Sequence, residues 1–95
     1  MKTIYKYPLE NTSGKYAISM PSEAEILYIN AQRNVPCIWA MVDTEKPIET
    51  RQFRLYGTGH PVEENDLFHH GSFFMQEGRF VFHLFEVQVW HDNNL

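Results

Sequence analysis

The chain is short of cysteine, glycine and proline, with one, five and five in 95 residues, and it has less base than acid. Each shortage excludes something. Cys37 has no partner for an intrachain disulfide, so the fold must hold without a covalent staple and suits a reducing compartment. No stretch reaches the roughly 18 apolar residues of a membrane-spanning helix. Met1–Pro8 also lacks the long apolar segment of a secretory signal. Eight basic against twelve acidic residues, a formal charge of −4, leave little basic surface for nonspecific nucleic-acid binding. That binding works by releasing counterions from phosphates. The expected setting is therefore cytoplasmic, with no membrane partner and no nonspecific nucleic acid. Internal repeats and low-complexity tracts are absent, and no segment sustains the 3.6-residue period of an amphipathic helix.

What is present is aromatic and β-like. Aromatic residues make up 15% of the chain, which supplies large burial per residue to a core of limited size. Short apolar runs recur between turn signals. Met1–Pro8 alternates and stops at a proline. Asn11–Gly14 is a turn cluster, and Lys15–Met20 reads as the second arm of a hairpin with the first. Ser22 to Glu25 has capping-box spacing, but the β-branched and aromatic run Ile26–Ile29 argues for a strand. Arg33–Asn34 marks a turn. Val35–Val42 is apolar on both faces, as in a central strand covered on both sides. Asp43–Pro47 is a connection of hairpin length. Ile48–Tyr56 alternates, with Arg51, Phe53 and Leu55 on one face and Gln52, Arg54 and Tyr56 on the other. Val62–Phe68 is acidic and irregular, with room for one helical turn. Ser72–Met75, a Gln76–Gly78 turn and Arg79–Val89 complete the pattern. The reading is an all-β domain over residues 1–89, a small antiparallel β-sandwich or partly open β-barrel of six to seven strands, followed by a polar tail at 90–95.

Four segments together resemble a family of small uncharacterised proteins encoded by tailed phages and prophages. They are Met1–Leu9, Val35–Ala40, Phe53–Pro61 and Phe82–Val87. The resemblance covers nearly the whole chain, up to about Val87. It implies a host bacterial cytosol and, by analogy, a role in countering host defence. It carries no activity that transfers residue by residue.

The most distinctive stretch is Arg51–Pro61, a strand running into a two-glycine turn closed by His-Pro. Gly57 and Gly59 let backbone approach an anion, Thr58 and His60 add a hydroxyl and an imidazole, and Arg51 and Arg54 bring positive charge beside Tyr56. These seven residues, Arg51, Arg54, Tyr56, Gly57, Thr58, Gly59 and His60, are the candidate ligand-binding set. The plain alternative is a corner turn. Neither a P-loop nor a dinucleotide fingerprint is present. On a flat strand Arg51 and Arg54 face opposite ways, so Arg54 with Tyr56 and Thr58–His60 is the most economical core.

His60, His69, His70, His83 and His91 do not form a recognisable metal motif. His69 and His70 point to opposite faces of an extended chain, and His83 reads as a core or interface residue. Cys37 sits in an apolar strand, where a thiol is inert. Ser72 has histidines near it in sequence but no nucleophile-elbow pattern around it. No catalytic residue, metal or cofactor is assigned. The leading expectation is a non-enzymatic protein that sequesters a small anionic, nucleotide-like ligand, as a homo-oligomer. Two rivals remain: an inhibitor that docks on a host protein through Glu63, Glu64 and Asp66, and a small hydrolase with a histidine base.

Overall fold

The computed structural model describes residues 1–88. Those residues form seven strands and no helix: β1 (Lys2–Pro8), β2 (Lys15–Pro21), β3 (Glu25–Gln32), β4 (Val35–Asp43), β5 (Ile48–Gly57), β6 (Leu67–Met75) and β7 (Phe80–Val87). They make two antiparallel sheets, one in the order β1-β4-β3 and the other β2-β5-β7-β6, which are not closed into a barrel. The all-β class read from the sequence is the class found. The expected extension of the last strand to Val89 and the tail at 90–95, with Trp90 and His91, lie outside the described residues.

Alternation decides which residues meet between the sheets. Ile38, Ala40 and Val42 project inward from β4, Phe53 from β5 and Leu84 from β7, and all are essentially inaccessible to solvent. Tyr16, Met20, Leu9 and Ala24 complete the cluster. Burial of the larger of these, such as Ile38, Phe53 and Leu84, is worth about 1.5–3 kcal/mol each. The outward residues of β4, Trp39 and Met41, are only half-buried. The central position expected of β4 is therefore found, but its outer face is fully covered only at Cys37.

Two connections differ from expectation. β1 and β2 do not form a hairpin: β1 pairs with β4 and β2 with β5, in different sheets. The cause is Leu9, which dives into the core, 3% exposed, while its N–H donates to the Pro36 carbonyl at 2.8 Å. The chain then crosses to the second sheet through Asn11–Gly14, where Asn11 Oδ1 accepts from the Ser13 N–H at 2.9 Å. The Asp43–Pro47 connection also crosses between sheets, since β4 and β5 lie in different ones. The Arg33–Asn34 turn does close a hairpin, β3–β4, with both residues left-handed at φ 51° and 65°. That is the twist-compatible turn for two central residues. Residues 62–66 are irregular, with no helical turn, and β6 begins at Leu67, earlier than the sequence implied.

Strand β6 carries the feature that shapes the rest. His69 pairs with Phe85 and Gly71 with Leu84, which leaves His70 as an extra residue, a β-bulge. In a regular strand, residues three apart face opposite ways. Here the extra residue places His69 and Ser72 on the same outer face and turns His70 inward.

Candidate functional site

The outer face of the four-stranded sheet is laid out in rows by its register. Lys15 on β2, Arg54 on β5, Phe85 on β7 and His69 on β6 form one row. Tyr56, His83 and Ser72 form the next. Thr58 follows where β5 ends, its N–H donating to the Val81 carbonyl at 3.1 Å.

His83 is the centre of this face. Its Nε2 lies 2.8 Å from Thr58 Oγ1, and its Nδ1 lies 2.7 Å from Ser72 Oγ. Ser72 Oγ is also 3.1 Å from His69 Nε2. Four side chains from three elements thus form one continuous hydrogen-bonded line: Thr58, His83, Ser72, His69. Aromatic rings border it. Phe85 packs 5.0 Å from His69 and 5.9 Å from Tyr56, measured between centroids. The side chains of Ser72, His69 and Thr58 are exposed, and His83 is half-buried.

The seven residues named from the sequence divide between two faces. Arg54, Tyr56 and Thr58 are on the outer face, as alternation required. Arg51 is on the inner face, at the end of the core. It grips Glu86 with two hydrogen bonds, Nε to Oε2 at 2.6 Å and Nη2 to Oε1 at 2.7 Å, and Nη1 donates to the Ala24 carbonyl at 2.7 Å. Its guanidinium carbon stands 5.7 Å from the centroid of the Phe53 ring. His70 Nε2 reaches the same carboxylate at 2.9 Å. Burial alone would raise the Glu86 carboxyl, but the Arg51 and then the His70 hydrogen bonds outweigh it and hold it at about 2. Those same bonds to Glu86 push Arg51 up. Arg51 therefore has a structural partner on the side of the sheet away from Arg54.

The glycine turn is occupied by its own atoms. The Gly57 N–H faces His60 Nδ1 at 3.3 Å, and the His60 N–H donates to the Gly57 carbonyl at 3.0 Å. A Cβ on residue 57 would sit 2.9 Å from the His60 ring, so glycine is there to let the imidazole lie against the backbone. Gly59, at φ +90°, serves the turn and faces open space. The loop thus delivers Thr58 to His83, while Gly57, Gly59 and His60 close it.

Arg54 has one acidic partner among the described residues, Glu64, and donates through Nη1 to the Phe53 carbonyl at 3.0 Å. Glu64 is consequently half-buried rather than part of a free acidic surface with Glu63 and Asp66. Lys15, directly opposite Arg54, makes no ion pair among the described residues. Cys37 is buried, and burial pushes its thiol up, as its apolar strand implied. Among the described residues no group of three or more potential ligands is placed to hold a metal ion, and no helix is long and apolar enough to cross a membrane.

Sequence reasoning missed His83, Ser72 and His69 as a group. The His-His-Gly-Ser run held the one available signal, a glycine inside a strand, which marks bulges. Pairing with His83, eleven residues on, is visible only once the register is known.

Fold and face together define a small two-sheet β domain with one polar, aromatic-bordered sheet surface. The chain belongs to the family described as Domain of unknown function (DUF7352), whose model matches residues 1–94. No curated protein and no solved structure matches it.

Proposed function

We propose that the protein binds a small anionic, nucleotide-like ligand on the outer face of its four-stranded sheet. The observation that carries this reading is the register that sets Lys15 opposite Arg54. Like charges directly opposite one another on a sheet are unfavourable, and Glu64 is the one carboxylate among the described residues that pairs with either. An acidic chain thus keeps a local excess of positive charge, beside the rings of Tyr56 and Phe85 on which a base can stack. The resemblance to phage-encoded proteins makes a host signal nucleotide the ligand class to try first. The same reading takes the protein to be a cytoplasmic homo-oligomer, because a domain this small leaves large apolar side chains such as Ile4 and Tyr28 uncovered. The rival docking of an acidic patch on a host protein is weakened by the engagement of Glu64 with Arg54.

A screen of nucleotides and cyclic nucleotides by thermal shift tests the proposal. At a hundredfold excess over Kd, linkage gives about 2.7 kcal/mol, a rise of roughly 10 °C or more for a domain this size. The double variant Lys15→Ala/Arg54→Ala is expected to abolish the shift while remaining folded. Retention of the shift in that variant, or no shift with any nucleotide, rejects this site.

A further inference from the structure

We infer that Ser72 is an activated nucleophile with the His83 imidazole as its base, directed at a phosphoric ester lying on the outer face. The nucleophile stands independently of the anion-binding reading; the choice of a phosphoric ester as its electrophile rests on that reading.

Hydrogen-bond accounting favours one direction for the line of side chains. Thr58 Oγ1 lies 3.3 Å from the Val81 carbonyl, which can only accept. When the Thr58 hydroxyl donates there, its oxygen accepts from His83 Nε2, so Nε2 carries the imidazole proton and Nδ1 is bare. Ser72 then donates its hydroxyl proton to Nδ1 across 2.7 Å, and its oxygen accepts from His69 Nε2–H across 3.1 Å. The reverse direction leaves Val81 without the Thr58 hydroxyl. The favoured arrangement has the parts of an activated hydroxyl: a nucleophile bonded to a neutral imidazole, and a third group holding that imidazole's far nitrogen. Thr58 is a positioning residue, acting through His83.

The bulge makes the arrangement possible. Were β6 regularly paired through His70, residues three apart would face opposite ways, and either His69 or Ser72 would point into the core. Gly71, at φ +153°, takes a conformation open essentially to glycine, and a Cβ there would press on Ile29 Cδ1 at 3.0 Å. Bulges recur next to active sites because they re-aim a side chain.

The chemistry closes without an outside oxidant or metal. Ser72 Oγ forms a bond to phosphorus as the phosphorus–oxygen bond to the leaving alcohol breaks. The hydroxyl proton passes to His83 Nδ1 and then to the departing alkoxide. His69 Nε2–H, released from Ser72, is placed to donate to the oxygen on which negative charge grows. Water then gives a proton to His83 Nδ1 as its oxygen bonds to phosphorus; the phosphorus–Oγ bond breaks, and the imidazole returns that proton to Ser72 Oγ.

A fluorophosphonate tests the nucleophile without any knowledge of the natural ligand. Its phosphorus–fluorine bond breaks, fluoride leaves, and the phosphonyl group remains on the serine. Intact-mass measurement and peptide mapping of the full chain are expected to show one adduct, on Ser72. Its formation rate should rise with pH, because only the neutral imidazole can take the hydroxyl proton. Ser72→Ala is expected to remove the adduct. His83→Gln, checked for folding by its melting curve, is expected to slow labelling by about 100-fold or more. Thr58→Val should lower the rate and displace its pH midpoint, and Thr58→Ser should restore both. Labelling no faster than in Ser72→Ala, an adduct on another residue, or an unchanged rate in folded His83→Gln overturns the inference. Ligand binding that persists in Ser72→Ala, with no labelling of the wild type, rejects the nucleophile and leaves the binding site standing.

Discussion

Glu86 takes three hydrogen bonds on one carboxylate, two from Arg51 and one from His70, with only 17% of its side chain exposed. Its pKa of about 2, against an ordinary 4.5, makes the ion pair a source of pH-dependent stability. The sign follows from the folded value being the lower one. The contribution is complete above pH 4.5 and disappears as pH falls towards about 2, because the unfolded chain binds the proton first. Its size is on the order of 3 kcal/mol. Melting temperatures between pH 7 and pH 2 are expected to show this loss, and Glu86→Gln to show a much flatter profile. At pH 7 the same variant should cost about 3 kcal/mol, since removing one partner leaves Arg51 half-buried and uncompensated. An unchanged midpoint in urea would contradict that. Arg51 was among the residues nominated for ligand contact, and alternation already placed it opposite Arg54. What alternation cannot supply is the partner: Glu86 lies 35 residues away, and nothing local to Arg51 announces it.

At the scale of the element, β6 is the strand whose conformation the site depends on. Gly71→Ala must adopt a φ near +153° and also push back Ile29, so it is expected to cost about 1–3 kcal/mol. Ile29→Ala added to it should recover only the part due to contact, which a double-mutant cycle in denaturant measures. Full recovery would mean that the backbone conformation carries no cost. Removing His70 altogether should restore regular pairing and still leave His69 and Ser72 on one face, while taking from Glu86 its third hydrogen bond. The strands themselves were largely legible, because a period of two and glycine–proline punctuation are local signals. The Arg33–Asn34 hairpin was legible for the same reason. Which strands pair was not. The expected β1–β2 hairpin fails because burying Leu9 outweighs the convenience of a short turn, and that preference belongs to the assembled core. The outer-face line of Thr58, His83, Ser72 and His69 was illegible for a related reason, since it joins two strands and the turn after a third through register and an insertion of one residue.

At the scale of the whole molecule, the all-β class follows from composition and from the absence of any helical period. The size of the core explains a further expectation. Several large apolar side chains remain exposed, among them Ile4 and Tyr28, which share the outer face of the three-stranded sheet with Trp39. Tyr28 and Trp39 pack their rings there at a 45° tilt, 5.5 Å between centroids. Surface of this kind is commonly a contact between molecules. Light scattering at micromolar concentration is expected to report more than one chain per particle, and Ile4→Glu/Tyr28→Glu to return a monomer. A monomeric wild type would refute the homo-oligomer. The described chain is 43 by 35 Å across but only 19 Å thick. Strand β7 is therefore a partition with a tenant on each side, His83 and Phe85 outward, Leu84 and Glu86 inward. A molecule this thin cannot insulate one surface from the other. Glu86 and His83 lie three residues apart on β7, about 10 Å along the strand, and salt screens partly buried charges only weakly, so a charge gained or lost beside Glu86 changes the electrostatic potential at His83, with no side chain required to move.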